Sequence, residues 1–418
     1  MGNSAMKPAF GTVTGLMQDI ARIGADKHRG GYSRPVFSGA ETELRSWFSE
    51  QAGRRGLDVY TDVNGIMWAW WDTSIGIRRD AVVTGSHLDS VPGGGAYDGP
   101  LGVASALIAI DILKSRGIRP RRPLAIAVFP EEEGSRFGVA CLGSRLLTGA
   151  IDPNKVRNLK DVDGNTYADV AAANGQDPRF IGADLSALNQ LGLFIELHIE
   201  QGRGLFDLDQ PVAIGSSILG HGRWKLSVYG QGNHAGTTLM SDRHDPMIAA
   251  AKILVGIRDA ATKYRDARAT VGRLQPIPGG TNVIASRVDM WVDVRHPKDE
   301  ITASLVESIH LNARLIAAEE GCNIAFDVES LSPTVHFNTS LREQLKGLIP
   351  AAPILNTGAG HDAGVLASHI PTAMLFVRNP TGISHSPEEQ IEDADSEAGA
   401  LCLADALSGL IGRARHIG

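Results

Sequence analysis

Apolar positions along this chain recur at two periods, and the switch between them predicts most of its elements. Residues 10–30 and 38–53 carry apolar positions at helical spacing, the second stretch with Leu44, Trp47 and Phe48 on one face. Leu57-Asp-Val-Tyr and Ile66-Met-Trp-Ala-Trp-Trp read as strands joined by the turn signal Asp62-Val-Asn-Gly. A buried strand follows at 81–85, then an alanine-rich apolar helix from about Gly99 to Ser115, then the strand Leu124-Ala-Ile-Ala-Val-Phe. Strand, helix and strand with short links make a right-handed parallel crossover. Residues 140–191 are polar and mixed and predict helices with loops, after which Phe194-Ile-Glu-Leu-His-Ile is the next strand.

The texture changes near Gly215. Trp224-Lys-Leu-Ser-Val-Tyr alternates with period two, the pattern of a sheet open on one face. A helix from Pro246 to about Lys263, strands at 269–274 and 283–294, a helix from Asp299 to Glu320 and a strand at 323–328 follow. That order is a split β-α-β arrangement of ferredoxin-like type. After about Ser332 the α/β texture returns, with a buried strand at 372–378 and an amphipathic helix at 393–411. The fold expected is therefore α/β. A mostly parallel-sheet catalytic domain with helices on both faces (1–215 and 332–418) carries an inserted ferredoxin-like α+β domain (216–331).

A length of 418 residues agrees with two domains. The net charge of −7 and the lack of any basic run exclude a nucleic-acid partner or an anionic membrane surface. There is no 18-residue apolar run and no signal pattern, and the three scattered cysteines suit a reducing compartment, so a cytoplasmic protein is expected. The opening Met1-Gly-Asn-Ser-Ala-Met reads as an expression scar and enters no argument. Trp68, Trp70 and Trp71 are expected in the core and at the sheet edge.

Chemistry concentrates where buried strands end. In the stretch 84–99, His87 and Asp89 are two apart and so project to the same side of their strand. The turn Gly93-Gly-Gly lets the backbone return and bring Asp98 near His87. Taken alone, this is equally a capped helix start with a hydrogen-bonded histidine. The strand at 124–129 ends in Pro130-Glu-Glu-Glu-Gly, three adjacent acids that repel one another unless a cation neutralises them; an exposed acidic turn is the alternative. The strand at 193–197 ends in His198-Ile-Glu-Gln-Gly, and that at 372–378 is followed by Gly382-Ile-Ser-His385. Open α/β sheets bind ligands beyond the carboxyl ends of their strands. His87, Asp98, Glu133, His198 and His385 suffice for two divalent ions sharing one carboxylate, about 4 Å apart and able to hold a bridging hydroxide.

Together, His87-x-Asp89, Asp98, Glu132-Glu133-Gly134 and Ser384-His385 resemble the metallopeptidase family that includes aminoacylases, dipeptidases and carboxypeptidase G-type enzymes. Glu131-Glu-Glu-Gly-Ser-Arg-Phe, Glu196-Leu-His-Ile-Glu-Gln-Gly, Asn233-His-Ala-Gly-Thr-Thr, Gly280-Thr-Asn-Val-Ile, Asp293-Val-Arg-His and Gly358-Ala-Gly-His-Asp-Ala resemble one branch of it. That branch holds N-carbamoyl-L-amino-acid hydrolase, allantoate amidohydrolase and β-ureidopropionase. The resemblance spans roughly residues 80–390, in matching order.

The resemblance implies that Asp98 bridges two metal ions, one also held by Glu133 and His385, the other by His87 and His198. It implies zinc first, with manganese, cobalt or nickel compatible with the same donors. Glu132 is implied as general base and Asp89 as the hydrogen-bond partner that orients the second nitrogen of His87. Arg295 is implied to take a substrate carboxylate, assisted by Asn282 and the backbone of Gly360, with Gln201 on the ureido group. His234 is implied to stabilise the oxyanion across a homodimer interface, the inserted domain acting as lid and dimerisation domain. A strand-edge ion pair for Arg295 and a loop-capping role for His234 are the alternatives.

His221, Arg203 and Leu239 stand where the branch commonly has Gln, Pro and Pro, which bears on the substrate rather than on the metals. His361-Asp362 is expected to support the pocket wall or to bond within the core, and His28, His244, His310, His336, His369 and His416 to be structural or surface residues. The activity implied is metal-dependent hydrolysis of a ureido C–N bond in a small N-carbamoyl or related acid, by a metal-bridged hydroxide. An N-acyl-amino-acid or dipeptide hydrolase with the same centre, and an inactive metal-dependent binding protein, are the competing readings. The intact Glu132 speaks against the last.

Overall fold

The computed structural model describes residues 11–412; the opening Met1–Met6 segment and His416 lie outside them. In chain order the strands are β1 (Asp58–Thr61), β2 (Met67–Trp71), β3 (Ala81–His87), β4 (Leu124–Phe129), β5 (Leu191–Ile199), β6 (Val212–Ile218), β7 (Gly220–Tyr229), β8 (Asn233–His234), β9 (Arg268–Ile277), β10 (Val283–Ile284), β11 (Arg287–His296), β12 (Asn323–Ser332), β13 (Val335–His336), β14 (Ile354–Thr357) and β15 (Thr372–Val377). The chain divides into two compact units, one running up to Ser216 and resuming at His336, the other Ser217–Val335.

The first unit is built on a nine-stranded sheet of order β1-β2-β4-β3-β5-β15-β6-β13, with β14 also on β6. Its centre is parallel: β4 with β3, β3 with β5, β5 with β15. The flanking pairs β1/β2, β2/β4 and β15/β6 are antiparallel. The four central strands are buried along their whole length, which is why they read as apolar runs rather than as alternation. Period two still decides which face each side chain takes. Val82, Ile126, Val128, Ile195, Leu197 and Leu375 join the large core with helices Val13–Asp19, Gly39–Arg54, Pro100–Ser115 and Asp393–Ile411. The alternate positions, including His87, Glu196 and His198, face the other side. Helices Leu142–Thr148 and Asp362–Leu366 pack on strands from that side.

Helix Pro100–Ser115 is buried on nearly every side, because sheet and helices enclose it, and so it carries almost no polar face. Its one buried acid, Asp111, is met by Arg55, whose Nη2 lies 2.8 Å from Oδ2. The expected helical stretch 10–30 is shorter than its spacing implies. Thr12 caps helix Val13–Asp19, and from Ile20 the chain turns. There the Asp26 carboxylate accepts the amides of His28 and Arg29 and the Ser33 hydroxyl, stabilising a loop instead of a helix. The mixed stretch after residue 140 holds short helices over a small core of Phe37, Phe137, Leu142, Leu146 and Tyr167.

In the second unit the four-stranded sheet has the order β12-β7-β11-β9, with every neighbouring pair antiparallel. Trp224, Leu226, Val228, Met290 and Val292 pack beneath helices Pro246–Ala261 and Asp299–Glu319. The strand expected at 283–294 is broken: β10 pairs with β8 in a separate ribbon, and β11 begins at Arg287. Among the described residues no helix is long and apolar enough to cross a membrane.

Candidate metal centre

Parallel neighbours end on the same edge of a sheet, so β4, β3, β5 and β15 deliver their following residues to one place. His87 closes β3, Glu131 to Glu133 follow β4, His198 lies near the end of β5, and His385 lies in the loop after β15. Asp98 stands just before helix Pro100–Ser115. Gly99 (φ +86°) must be glycine there, because a Cβ would lie 2.6 Å from His87 Nδ1.

Asp98 offers one oxygen to each of two ligand sets. Its Oδ1 lies 3.5 Å from His87 Nε2 and 3.1 Å from His198 Nε2. Its Oδ2 lies 3.4 Å from His385 Nε2, which is also 3.4 Å from Glu133 Oε2. In each set the donor atoms lie within 4.8 Å of one another. His87, His198 and Asp98 are buried, whereas the His385 side chain is 48% exposed and opens the site to solvent.

The hydrogen bonds behind the two buried histidines fix what faces forward. His87 Nδ1 lies 3.0 Å from the Asp89 carbonyl oxygen and His198 Nδ1 2.9 Å from that of Ile199. A carbonyl only accepts, so Nδ1 carries the proton in both rings and Nε2 presents its lone pair to Asp98. Neither Nε2 has a hydrogen-bond partner, nor does Glu133 Oε1. A lone pair facing a carboxylate oxygen is repulsive unless positive charge lies between them. The donor set and its orphaned atoms fit divalent cations.

The charge distribution leads the same way. Burial, reinforced by Asp98, pushes the Glu133 carboxyl up to about 8; burial, reinforced by Asp89, does the same to Glu131. Burial also drives Glu132 well above the usual carboxylate range, partly offset by His87. Burial would raise Asp98 as well, but its contacts with His198 and His87 hold it well below. On His87 burial disfavours charge, yet Glu132 and Asp98 outweigh it and raise the group. A site this rich in buried acid gathers positive charge, as protons when no metal is present.

One implied role changes. The Asp89 carboxylate is not the partner of His87, since its Oδ1 is 3.7 Å from Nδ1. It accepts the amides of Glu132 and Glu133 at 3.2 and 3.1 Å, while the Asp89 carbonyl holds the ring. Asp89 therefore pins the acidic turn. Gln201 donates from Nε2 to Asp98 Oδ2 at 3.0 Å, which ties it to the central carboxylate. Glu132 is placed beside the ligands, with Oε2 3.6 Å from His87 Nε2 and Oε1 3.6 Å from Cys141 Sγ. Gly360 precedes the buried His361, whose ring centroid is 4.4 Å from that of His198.

The remaining residues, Arg203 apart, lie in the second unit. Arg295 on β11 donates from Nε and Nη2 to Asp293 at 2.7 and 3.1 Å, directly opposite His221 on β7. His234 pairs with Val283 in the β8/β10 ribbon, and the Asn282 carbonyl accepts the Ala235 amide at 3.0 Å. Arg203 and Leu239 are exposed.

Sequence reasoning gave no role to Glu196 or Glu389. Glu196 accepts Ser86 Oγ and the Ala363 amide, each at 3.0 Å, and completes a buried group with His198 and His361. Its position two residues before His198 on one strand was the available signal. Glu389 reaches Asp98 from far along the chain and leaves no such trace.

The peptidase family M20/M25/M40 matches residues 83–409. The N-carbamoyl-L-amino acid amidohydrolase of Geobacillus stearothermophilus is 33% identical, over 93% of this chain and 95% of its own. The allantoate amidohydrolase of Escherichia coli (strain K12) is 31% identical, over 92% and 94%. Among solved structures, an amidase of the hydantoinase/carbamoylase family from Burkholderia multivorans superposes with a TM-score of 0.85 at 30% identity, covering 94% of this chain and 96% of that one.

Proposed function

The chain belongs to peptidase family M20/M25/M40 and is an amidohydrolase, and from that premise we propose that it cleaves the ureido C–N bond of an N-carbamoyl-L-amino acid or a related ureido acid such as allantoate or N-carbamoyl-β-alanine. The observation that carries this reading is Asp98, whose two oxygens face two separate histidine-containing sets with orphaned Nε2 atoms on one of them.

His87, His198 and Asp98 would hold one divalent ion, and Glu133, His385 and Asp98 a second; zinc is assigned, with manganese, cobalt and nickel suited to the same donors. Such ions supply a Lewis acid for the carbonyl and a water of lowered pKa. Glu132, a buried carboxylate outside both sets, takes the proton from the attacking water and returns it to the departing nitrogen. The products are the amino acid, ammonia and carbon dioxide. Asp89 keeps Glu132 and Glu133 in one turn through their amides.

The rest of the substrate we assign to five further residues. Arg295 takes its carboxylate through a planar fork, with Asn282 and the Gly360 backbone, and Gln201 meets the ureido group. His234 is assigned to the negative charge that develops on the carbonyl oxygen, supplied across a homodimer in which the second unit is lid and dimerisation surface. Steady-state rates on carbamoyl, formyl and acetyl derivatives of one amino acid test the reading. It predicts the carbamoyl compound to be preferred; a preference for the acetyl compound or for a dipeptide contradicts it.

A further inference from the structure

Asp98 can bridge two ligand sets only if its backbone is held still, and its own loop supplies little to hold it. The helix that follows starts at Gly99 without a side-chain cap. On one side the loop is tied to Tyr32, whose amide donates to the Gly94 carbonyl and whose carbonyl accepts the Gly94 amide, both at 2.9 Å. On the other side a single atom takes two backbone amides. Glu389 Oε1 accepts the amide of Tyr97 at 2.9 Å and that of Asp98 at 3.1 Å.

Glu389 is 4% exposed and lies four residues past His385, its own amide bonded to the Ser386 carbonyl at 3.1 Å. One carboxylate thus joins the loop that carries Asp98 to the loop that carries His385, which would share an ion. The seat is shaped for it: a Cβ on Gly95 would lie 2.2 Å from Glu389 Oε1 and 2.3 Å from its Cδ. Only glycine lets the carboxylate lie flat on the loop.

Resting on the dinuclear reading above, we propose that Glu389, seated on Gly95, is a positioning residue for the metal centre. It fixes the orientation of Asp98 and couples it to His385, so that both loops present their ligands together. Two short bonds from backbone amides to one carboxylate are charge-assisted and rigid. Partners that orient ligands in this way typically govern ~10–100-fold in metal affinity.

The test is a chelator-competition titration of the metal-stripped full chain with Zn²⁺ and Mn²⁺, alongside kcat and KM of the reloaded protein. Wild type, Glu389→Ala, Glu389→Gln and Gly95→Ala are compared. Glu389→Ala and Gly95→Ala are expected to lose ~10–100-fold in affinity and to lower kcat while KM holds. Glu389→Gln keeps an oxygen acceptor without the charge and is expected to fall between wild type and Glu389→Ala, a partial rescue that mere loss of core packing does not explain. If Glu389→Ala fails to fold, Glu389→Asp decides, since it keeps the charge but withdraws the oxygen by one methylene. Wild type with two ions and Glu389→Ala equally tight overturns the clamp alone. Wild type that binds neither metal overturns the clamp together with the dinuclear reading.

Discussion

Replacing Glu132 by Gln removes a charge and a proton acceptor while keeping the side chain's volume and all five assigned ligands. A positioned general base contributes roughly 10²–10⁴-fold, which is ~3–5 kcal/mol of transition-state stabilisation. Glu132 is 5% exposed and its Oε2 lies 3.6 Å from His87 Nε2, so bulk water has poor access to replace it. The loss should therefore fall in the upper half of that range, at ~10³-fold or more in kcat. Stability should move differently. Burial, and after it the charges of Glu133, Asp362 and Glu196, make ionised Glu132 costly in the metal-free fold. Gln removes that cost, so the melting temperature of metal-stripped Glu132→Gln should not fall below that of wild type. Ammonia release under saturating substrate, metal content by mass spectrometry and calorimetry read the three quantities. Full turnover with metal bound would refute the assignment of the base. Loss of metal with the charge would instead make Glu132 a ligand.

Three further outcomes follow from other parts of the molecule. Asp111→Ala removes the carboxylate facing the buried Arg55 and should destabilise the protein by ~3 kcal/mol in urea unfolding, without altering turnover of the folded fraction; less than about 1 kcal/mol would contradict it. In the metal-stripped protein Glu131 and Glu133 are raised to about 8 and Glu389 to about 7, each chiefly by burial, from an ordinary 4.5. The folded state then binds more protons than the unfolded one between those values, so its stability is full near pH 4.5 and falls as pH rises through 7 and 8. The gap between holo and metal-free melting temperatures should widen over that window; parallel curves would refute this. Arg295→Lys keeps the charge but loses the bidentate fork and should lower kcat/KM by roughly 10–100-fold, mostly through KM; an unchanged KM would remove Arg295 from the substrate site.

The assigned ligands were legible because each lies at the carboxyl end of a buried strand or in the loop beyond it, and strand burial is written in the runs 81–87, 124–129, 191–199 and 372–377. Parallel pairing then does the assembly without further sequence signal. The short elements were not legible. Helix Thr339–Leu348 carries Leu341, Leu345 and Leu348 at helical spacing, but over under three turns in a polar stretch, and β14 buries only Thr357, so it has no period to detect. Residues 20–30 carry apolar spacing but turn, because Asp26 satisfies local amides that a helix would have used. The partners of the Asp89 carboxylate are hidden from the sequence for a related reason. Its neighbour in sequence is His87, but its partners are amides more than forty residues away, which only the packing of β3 against β4 brings within reach.

Ammonia release from N-carbamoyl-L-amino acids, N-carbamoyl-β-alanine and allantoate, measured before chelation, after it, and after adding back Zn²⁺ or Mn²⁺, tests the central claim most directly. Release from at least one of these compounds is expected, abolished by chelation and restored by metal. Silence on all of them from protein that demonstrably carries its metal would contradict it.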